Sequence, residues 1–269
     1  MEGKNKTVVF IDSGVGGIPY FRYFRRRNPE VKTAYLADRR YFPYGKRERT
    51  ELGEILCRHV QKIVQIVDPK TIVLACNTAS IAALAVLRQR FPELTFVGTV
   101  PAIKPAALAS KTGKVGVLGT ELTVRERYIA ELAKDQNCEI VGIAASELVE
   151  FVETKLETAT EEEKRQIVQP YIKRFEENGA DTVVLGCTHF LFLQEYFQTE
   201  AMPNIAVFDS MHGVSHRVES LLGLEPDSEK KQATTVQGRM FLTGMQPPEP
   251  LWVNWAKELD CSLSLFEEE

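Results

Sequence analysis

The 269-residue sequence has no run of about 18 apolar residues, so no segment is suited to cross a bilayer as a helix. Its first residues, Met1-Glu-Gly-Lys-Asn-Lys6, offer neither an apolar core nor a small-residue cleavage site of the secretory kind. A cytosolic protein with no membrane partner is expected. An excess of either charge is also missing: 33 Lys and Arg stand against 37 Asp and Glu, for a net charge of −4, which gives no reason to expect nucleic acid as a partner. The cluster Arg22, Arg25, Arg26 and Arg27 reads as one solvated helix face rather than a phosphate site. The cysteines number five and are irregularly spaced, which excludes a disulfide framework and suits a reducing compartment. Four histidines and these scattered cysteines show no metal-ligand spacing. The glycine-rich turn Asp12-Ser-Gly-Val-Gly-Gly17 lacks the Lys-Ser/Thr of a phosphate loop and the spacing of a dinucleotide fingerprint. Nucleotide binding is not expected.

What is present is alternation. Apolar strand-like runs at Val8–Ile11, Thr33–Ala37 and Thr71–Ala75 are separated by helical patterns, the clearest over 51–67. The order then restarts with runs at Val115–Leu118, Glu139–Ile143 and Thr182–Gly186, and a helix over 161–177 stopped by Asn178-Gly179. First strands recur at an offset of 107 and matched cysteines at 111, so a duplicated, mainly parallel α/β architecture is expected. Residues 99–112 read as the crossover between halves and Ile205–Phe208 as a further strand. The polar stretch 225–235 reads as an exposed loop, and Trp252 to Phe266 as a tail packing on the first half. The expected domains are 1–98 plus 209–269, and 99–208, with the active site in the cleft between them.

The most informative repeat is Thr71-Ile-Val-Leu-Ala-Cys76-Asn77-Thr78 against Thr182-Val-Val-Leu-Gly-Cys187-Thr188-His189. Each sets a cysteine at the exit of a buried strand, where α/β sheets bind ligands. Either cysteine alone reads as a small buried hydrophobe; the matched pair points to function. A thiol at a helix start reaches the thiolate state at modest cost and can act as a base on carbon. Two such groups addressing one carbon from opposite sides are what inversion of a stereocentre requires. Asp12, Ser13, Tyr44, Gly45, Thr120 and Thr188 also lie at strand exits, as do Asn77 and Thr78. The side chains of Asn77, Thr78 and Thr188, and helix N-terminal amides, can hold a carboxylate. Asp12 reads equally as a partner of the Cys76 thiol or a substrate ammonium, and as a helix N-cap. His189 reads equally as a proton carrier for Cys187 and as a structural histidine. His59, His212 and His216 read as helix-surface residues, and Cys57, Cys138 and Cys261 as structural.

Five segments in this order resemble the cofactor-independent Asp/Glu racemase family, and the glutamate racemases within it. They are Asp12-Ser-Gly-Val-Gly-Gly17, Asp38 with Pro43-Tyr44-Gly45, Ala75-Cys-Asn-Thr-Ala79, Val100-Pro-Ala-Ile-Lys-Pro105 and Gly186-Cys-Thr-His189. The resemblance covers nearly the whole chain. It implies interconversion of L- and D-glutamate with no pyridoxal phosphate and no metal, for peptidoglycan synthesis, by a protein that is commonly a homodimer. By this resemblance Cys76 and Cys187 are the two bases, Cys76 acting on D-glutamate and Cys187 on L-glutamate, and Asp12 and His189 assist them. Ser13, Tyr44, Gly45, Asn77, Thr78, Thr120 and Thr188 match substrate-binding positions, and Glu150 aligns with a glutamate near the second thiol. The chain departs from the family pattern at Glu48, Arg125, Ser146-Glu147 and Leu191, none of which removes a proposed catalytic group.

Overall fold

The computed structural model describes residues 7–224, 236–244 and 247–267. The segment 225–235, expected as an exposed loop, and Met1–Lys6 lie outside them. The chain forms two compact units, residues 1–99 with 211–269, and residues 100–210. Both are α/β units built on parallel sheets.

The first unit runs β1 (Val8–Asp12), α1 (Ile18–Arg27), β2 (Thr33–Ala37), α2 (Arg49–Val67), β3 (Thr71–Leu74), α3 (Asn77–Arg90) and β4 (Thr95–Gly98). The chain then builds the second unit: α4 (Ile103–Ala109), β5 (Lys114–Gly119), α5 (Glu121–Arg125), α6 (Arg127–Asp135), β6 (Glu139–Ala144), α7 (Ser146–Thr154), α8 (Glu161–Glu177), β7 (Thr182–Leu185), α9 (Gln194–Ala201) and β8 (Ala206–Phe208). It returns to the first unit with α10 (Met211–Leu222), β9 (Gly238–Leu242), α11 (Pro250–Glu258) and β10 (Cys261–Leu265).

The strand orders are β10-β9-β2-β1-β3-β4 and β6-β5-β7-β8, with every pairing parallel. The second sheet therefore repeats the β2-β1-β3-β4 part of the first, in the same order. Parallel strands need crossovers, and right-handed crossovers running in opposite directions place their helices on opposite faces. In the first unit α2 and α3 share one face, where Val9, Ile11, Leu36, Ile72 and Leu74 meet Leu52, Leu56 and Ala83. On the other face, Phe10 packs against Phe21 and Phe24 of α1 at ring-centroid distances of 5.6 Å. In the second unit Val115, Val117 and Val184 pack on Ile103, Ala106 and Ile129 of α4 and α6. Gly116 faces the opposite way, where an added Cβ would lie 2.6 Å from the Phe175 ring of α8.

The helix expected over 161–177 begins with a capping box, in which the Thr160 hydroxyl accepts from the Glu163 N–H and Glu163 accepts from the Thr160 N–H. It ends where Gly179 takes a φ of +76°. The arginine cluster of α1 is not a solvated face. Arg25 is buried and donates to the Val236 carbonyl at 3.1 Å, and Arg27 pairs with buried Glu219 of α10 at 2.8 Å. Only Arg26 of the four is exposed. The guanidiniums of Arg25 and Arg27 tie α1 to the returning chain.

The C-terminal tail packs on the first unit, as its sequence indicates. β9 pairs with β2, β10 with β9, and Trp252 of α11 is fully buried. Trp252→Ala removes that side chain, and a loss of about 3–5 kcal/mol is expected for a fully buried aromatic. Its thermal midpoint should fall by on the order of 10 °C. A midpoint within a degree or two of the parent would show that the tail is not part of the core.

Candidate active site

In a sheet of order 2-1-3-4 the chain leaves the two central strands toward opposite sides, and a crevice opens at their carboxyl ends. In the first unit those strands are β1 and β3, which end at Asp12 and just before Cys76. In the second they are β5 and β7, which end just before Thr120 and just before Cys187. The backbone repeats in detail. Ala75 N–H donates to the Ile11 carbonyl at 2.9 Å, and Gly186 N–H to the Leu118 carbonyl at 2.6 Å. Asp38 N–H donates to the Asp12 carbonyl at 2.8 Å, and Ala145 N–H to the Gly119 carbonyl at 2.9 Å. Gly186 has no side chain because a Cβ there would stand 2.9 Å from the Leu118 carbonyl oxygen.

Each cysteine is the residue before a helical segment, in an extended conformation. Cys76 (φ −148°, ψ 123°) precedes α3, and Cys187 (φ −134°, ψ 134°) precedes a 3-10 segment, Thr188–Leu193. The following N–H groups present partial positive charge to the thiol side. Both thiols are largely buried, 8% and 7% exposed, and neither forms a disulfide. Among the described residues no group of His, Cys, Asp and Glu has the arrangement of a metal site.

Around Cys76 the structure gathers Asp12, Ser13, Asn77, Thr78 and Tyr44, all buried. Asp12 is not a helix cap. Gly17 holds that position for α1, and the Asp12 carboxylate accepts instead from Gly14 N–H at 2.7 Å. Gly17 is required by close approach: its Cβ would lie 2.8 Å from that of Ala75 and 3.0 Å from that of Asp12. Tyr44 opens a 3-10 turn, Tyr44–Lys46, and its phenol lies in the field of both Cys76 and Asp12. Burial first, then Asp38, Cys76 and Asp12, push that phenol well above its ordinary range, so Tyr44 is a neutral donor. Gly45 is exposed beside it.

Around Cys187 the partners differ. Its Sγ lies 3.8 Å from His189 Nδ1, and His189 Nε2 lies 2.8 Å from an oxygen of Glu153. Thr188 and His189 are buried, and the Glu153 side chain is 3% exposed. Burial alone would lower the His189 pKa. The bonds and charge of Cys187 and Glu153 outweigh it and raise it well above the usual histidine value. Glu153, not Glu150, is therefore the carboxylate that reaches this group. Glu150 is exposed, and its backbone carbonyl accepts from the Thr154 hydroxyl. Thr120 serves as the cap of α5, its hydroxyl accepting from Thr123 N–H at 3.3 Å.

A further correction concerns His59. It is fully buried in α2, not on its surface, and its Nε2 lies 2.8 Å from Asp38 Oδ2. The signal was available: His59 stands seven residues after Leu52 and four before Ile63, within the apolar stripe of the helix. His212 and His216 of α10 are exposed as expected. Arg125 turns to Glu121 at 3.0 Å with its side chain 80% exposed. Glu147 accepts from the Tyr171 hydroxyl, and Leu191 is buried.

The repeated switch points, each with a thiol before a helical start, define an enzyme of the amino-acid racemase class. A family model described as Asp/Glu/Hydantoin racemase matches residues 29–214, and the chain belongs to that family. Among its relatives, a protein of Actinobacillus pleuropneumoniae named glutamate racemase is 37% identical over 229 residues, covering 84% of this chain and 85% of the relative. One of Glaesserella parasuis, also named glutamate racemase, is 39% identical over 222 residues, covering 80% and 81%. Among solved structures, the glutamate racemase of Escherichia coli in complex with L-glutamate and the activator UDP-MurNAc-Ala superposes with a TM-score of 0.81 at 32% identity. It covers 97% of this chain and 98% of that one. The isoform RacE1 of Bacillus anthracis gives 0.79 at 25% identity, with 98% of each chain covered.

The Glu153–His189 pair makes a signed prediction. A histidine whose pKa is raised on folding stabilises the protein fully below its unfolded value of about 6.5. That contribution is lost as pH rises through the elevated folded value. Glu153→Gln should bring the His189 titration, followed by NMR of the ring, down toward the ordinary range and flatten this part of the stability profile. An unchanged titration would show that Glu153 does not hold the imidazolium.

Proposed function

We propose that the protein interconverts L- and D-glutamate by a two-thiol mechanism without a cofactor. The observation that carries this reading is the repeated strand exit, with Cys76 and Cys187 in the same backbone setting at matched switch points. The glutamate racemases among the relatives support glutamate as the substrate.

The α-proton of an amino acid is weakly acidic, and a single base returning it to the face it left would leave the centre unchanged. In the proposed cycle Cys187, as thiolate, takes the proton of L-glutamate while Cys76, as thiol, delivers one to the opposite face. The reverse cycle begins on D-glutamate with Cys76 as the thiolate. The proton taken and the proton given are different atoms, so product made in deuterated water carries deuterium at Cα. Two thiols serving one carbon act as a coupled pair with one proton between them. Negative charge developing on the substrate is met by donors fixed in a site from which water is excluded. Ser13, Asn77, Thr78 and Thr188 supply hydroxyls and amides, Thr120 a further hydroxyl, and Tyr44-Gly45 the loop that grips the substrate. Asp12 serves Cys76 or the substrate ammonium, and His189, oriented by Glu153, serves Cys187. The physiological setting we propose is D-glutamate supply for peptidoglycan, which shapes the cell wall, by a cytoplasmic homodimer. Among the described residues no helix is long and apolar enough to cross a membrane.

The two enantiomers have equal free energy in water, so any variant must change kcat/KM by one factor in both directions. Cys76→Ser and Cys187→Ser should each lower it by about 10³-fold or more, as loss of a positioned acid or base does. The check is polarimetry together with α-deuterium incorporation from each enantiomer of glutamate and aspartate, with no cofactor added. Near-parent rates in either variant would sink the two-thiol mechanism. Faster turnover of aspartate would move the substrate assignment.

A further inference from the structure

We propose that Thr243, Asp38 and His59 form a positioning network that presets the Pro43-Tyr44-Gly45 loop, so that the returning C-terminal segment governs substrate affinity without touching the substrate. The proposal rests on the reading that this loop binds the substrate.

The Asp38 carboxylate is fully buried and engaged on both oxygens. Oδ1 accepts from the Thr243 hydroxyl at 2.6 Å. Oδ2 accepts from the Tyr44 hydroxyl at 2.8 Å and faces His59 Nε2 at 2.8 Å. Burial would raise the Asp38 pKa, but the facing His59, Thr243 and Tyr44 outweigh it and hold it below the ordinary carboxylate value. Thr243 is occupied on its other side as well. Its hydroxyl accepts from Arg40 N–H at 2.9 Å, and its own N–H donates to the Ala37 carbonyl at 3.2 Å. Next to it Gly244 has a φ of +75°, and a Cβ there would lie 3.0 Å from the Arg40 Cα. Phe266, just beyond β10, meets the His59 ring edge-on at 5.7 Å. The segment after β9 is thus fitted against the start of the loop, and Asp38 carries that fit to Tyr44.

The second unit provides the control. The residue corresponding to Asp38 is Ala145, and it makes the same backbone bond to the neighbouring strand exit. The sheet therefore needs no carboxylate at this place. A buried carboxylate with its partners contributes little net stability compared with apolar packing, so its presence here points to placement of what it holds.

The test uses the full chain and steady-state kinetics with both enantiomers. Thr243→Val keeps shape and removes one bond to a buried charge, for which about a tenfold effect is expected. That effect should fall on KM in both directions, with kcat within about twofold. Thr243→Ser should restore the parent KM. His59→Gln, which keeps a donor amide on a longer stem, should raise KM in the same sense and serves if the valine variant folds poorly. A fall in kcat at unchanged KM would show a loss of folded protein only and would overturn the proposal. So would a serine variant no better than valine. Gly45→Ala separates the two levels. If it leaves KM unchanged, the substrate role of the loop fails. If it raises KM while Thr243→Val and His59→Gln do not, the network alone fails.

Discussion

Parallel pairing of β1 with β3, and of β5 with β7, is the constraint from which the rest of the molecule follows. A parallel pair cannot be closed by a hairpin, so each strand must hand the chain to a crossover. When neighbouring strands hand it in opposite directions, their carboxyl ends are left uncovered side by side. The backbone N–H groups there are satisfied by the next strand's carbonyl, as Ala75 is by Ile11 and Gly186 by Leu118. The side chains are consequently free to serve chemistry. A thiol at such a point is shielded by the sheet below and flanked by the helical N–H groups that follow.

Each unit adds one buried carboxylate–imidazole pair, and the two are placed differently. In the second unit Glu153 holds His189 directly beside Cys187. In the first, Asp38 and His59 stand behind Tyr44, a layer away from Cys76. Neither pair is required by the sheets, which run in the same order and register with or without them. Desolvation offsets much of the attraction within a buried pair of this kind, so orientation is the role it is best suited to. The repeat is thus faithful in backbone and divergent in the groups that surround the thiols.

Much of this was legible in the sequence because it rests on local rules. Strand–helix alternation, the restart near Val115, and the cysteines at strand exits all follow from hydrophobic period and turn residues. The capping box at Thr160 and the stop at Gly179 are equally local. The misread residues depend on helix rotation and on contacts remote in sequence. Glu150 and Glu153 lie one turn apart on α7, and spacing alone cannot say which carboxylate meets His189, 36 positions onward. Asp12 resembles an N-cap until Gly17 is seen to hold that place. Arg25 and Arg27 look like surface charge because Val236 and Glu219, which accept their hydrogen bonds, arrive about 200 residues later. His59 is the exception, since its place in the apolar stripe of α2 was there to be read.

The unequal surroundings of the two thiols have a consequence in time. Under the proposed cycle, an enzyme that has just released the D form is left with its proton on Cys187, which is the state that accepts the D form again. To take another L molecule it must first move that proton by a route that does not pass through substrate. His189 and Glu153 give the second half a place to hold a proton near the thiol, and the first half has no imidazole in that position. A protein working by that cycle would keep, in the positions of its protons, a short record of which hand it last let go.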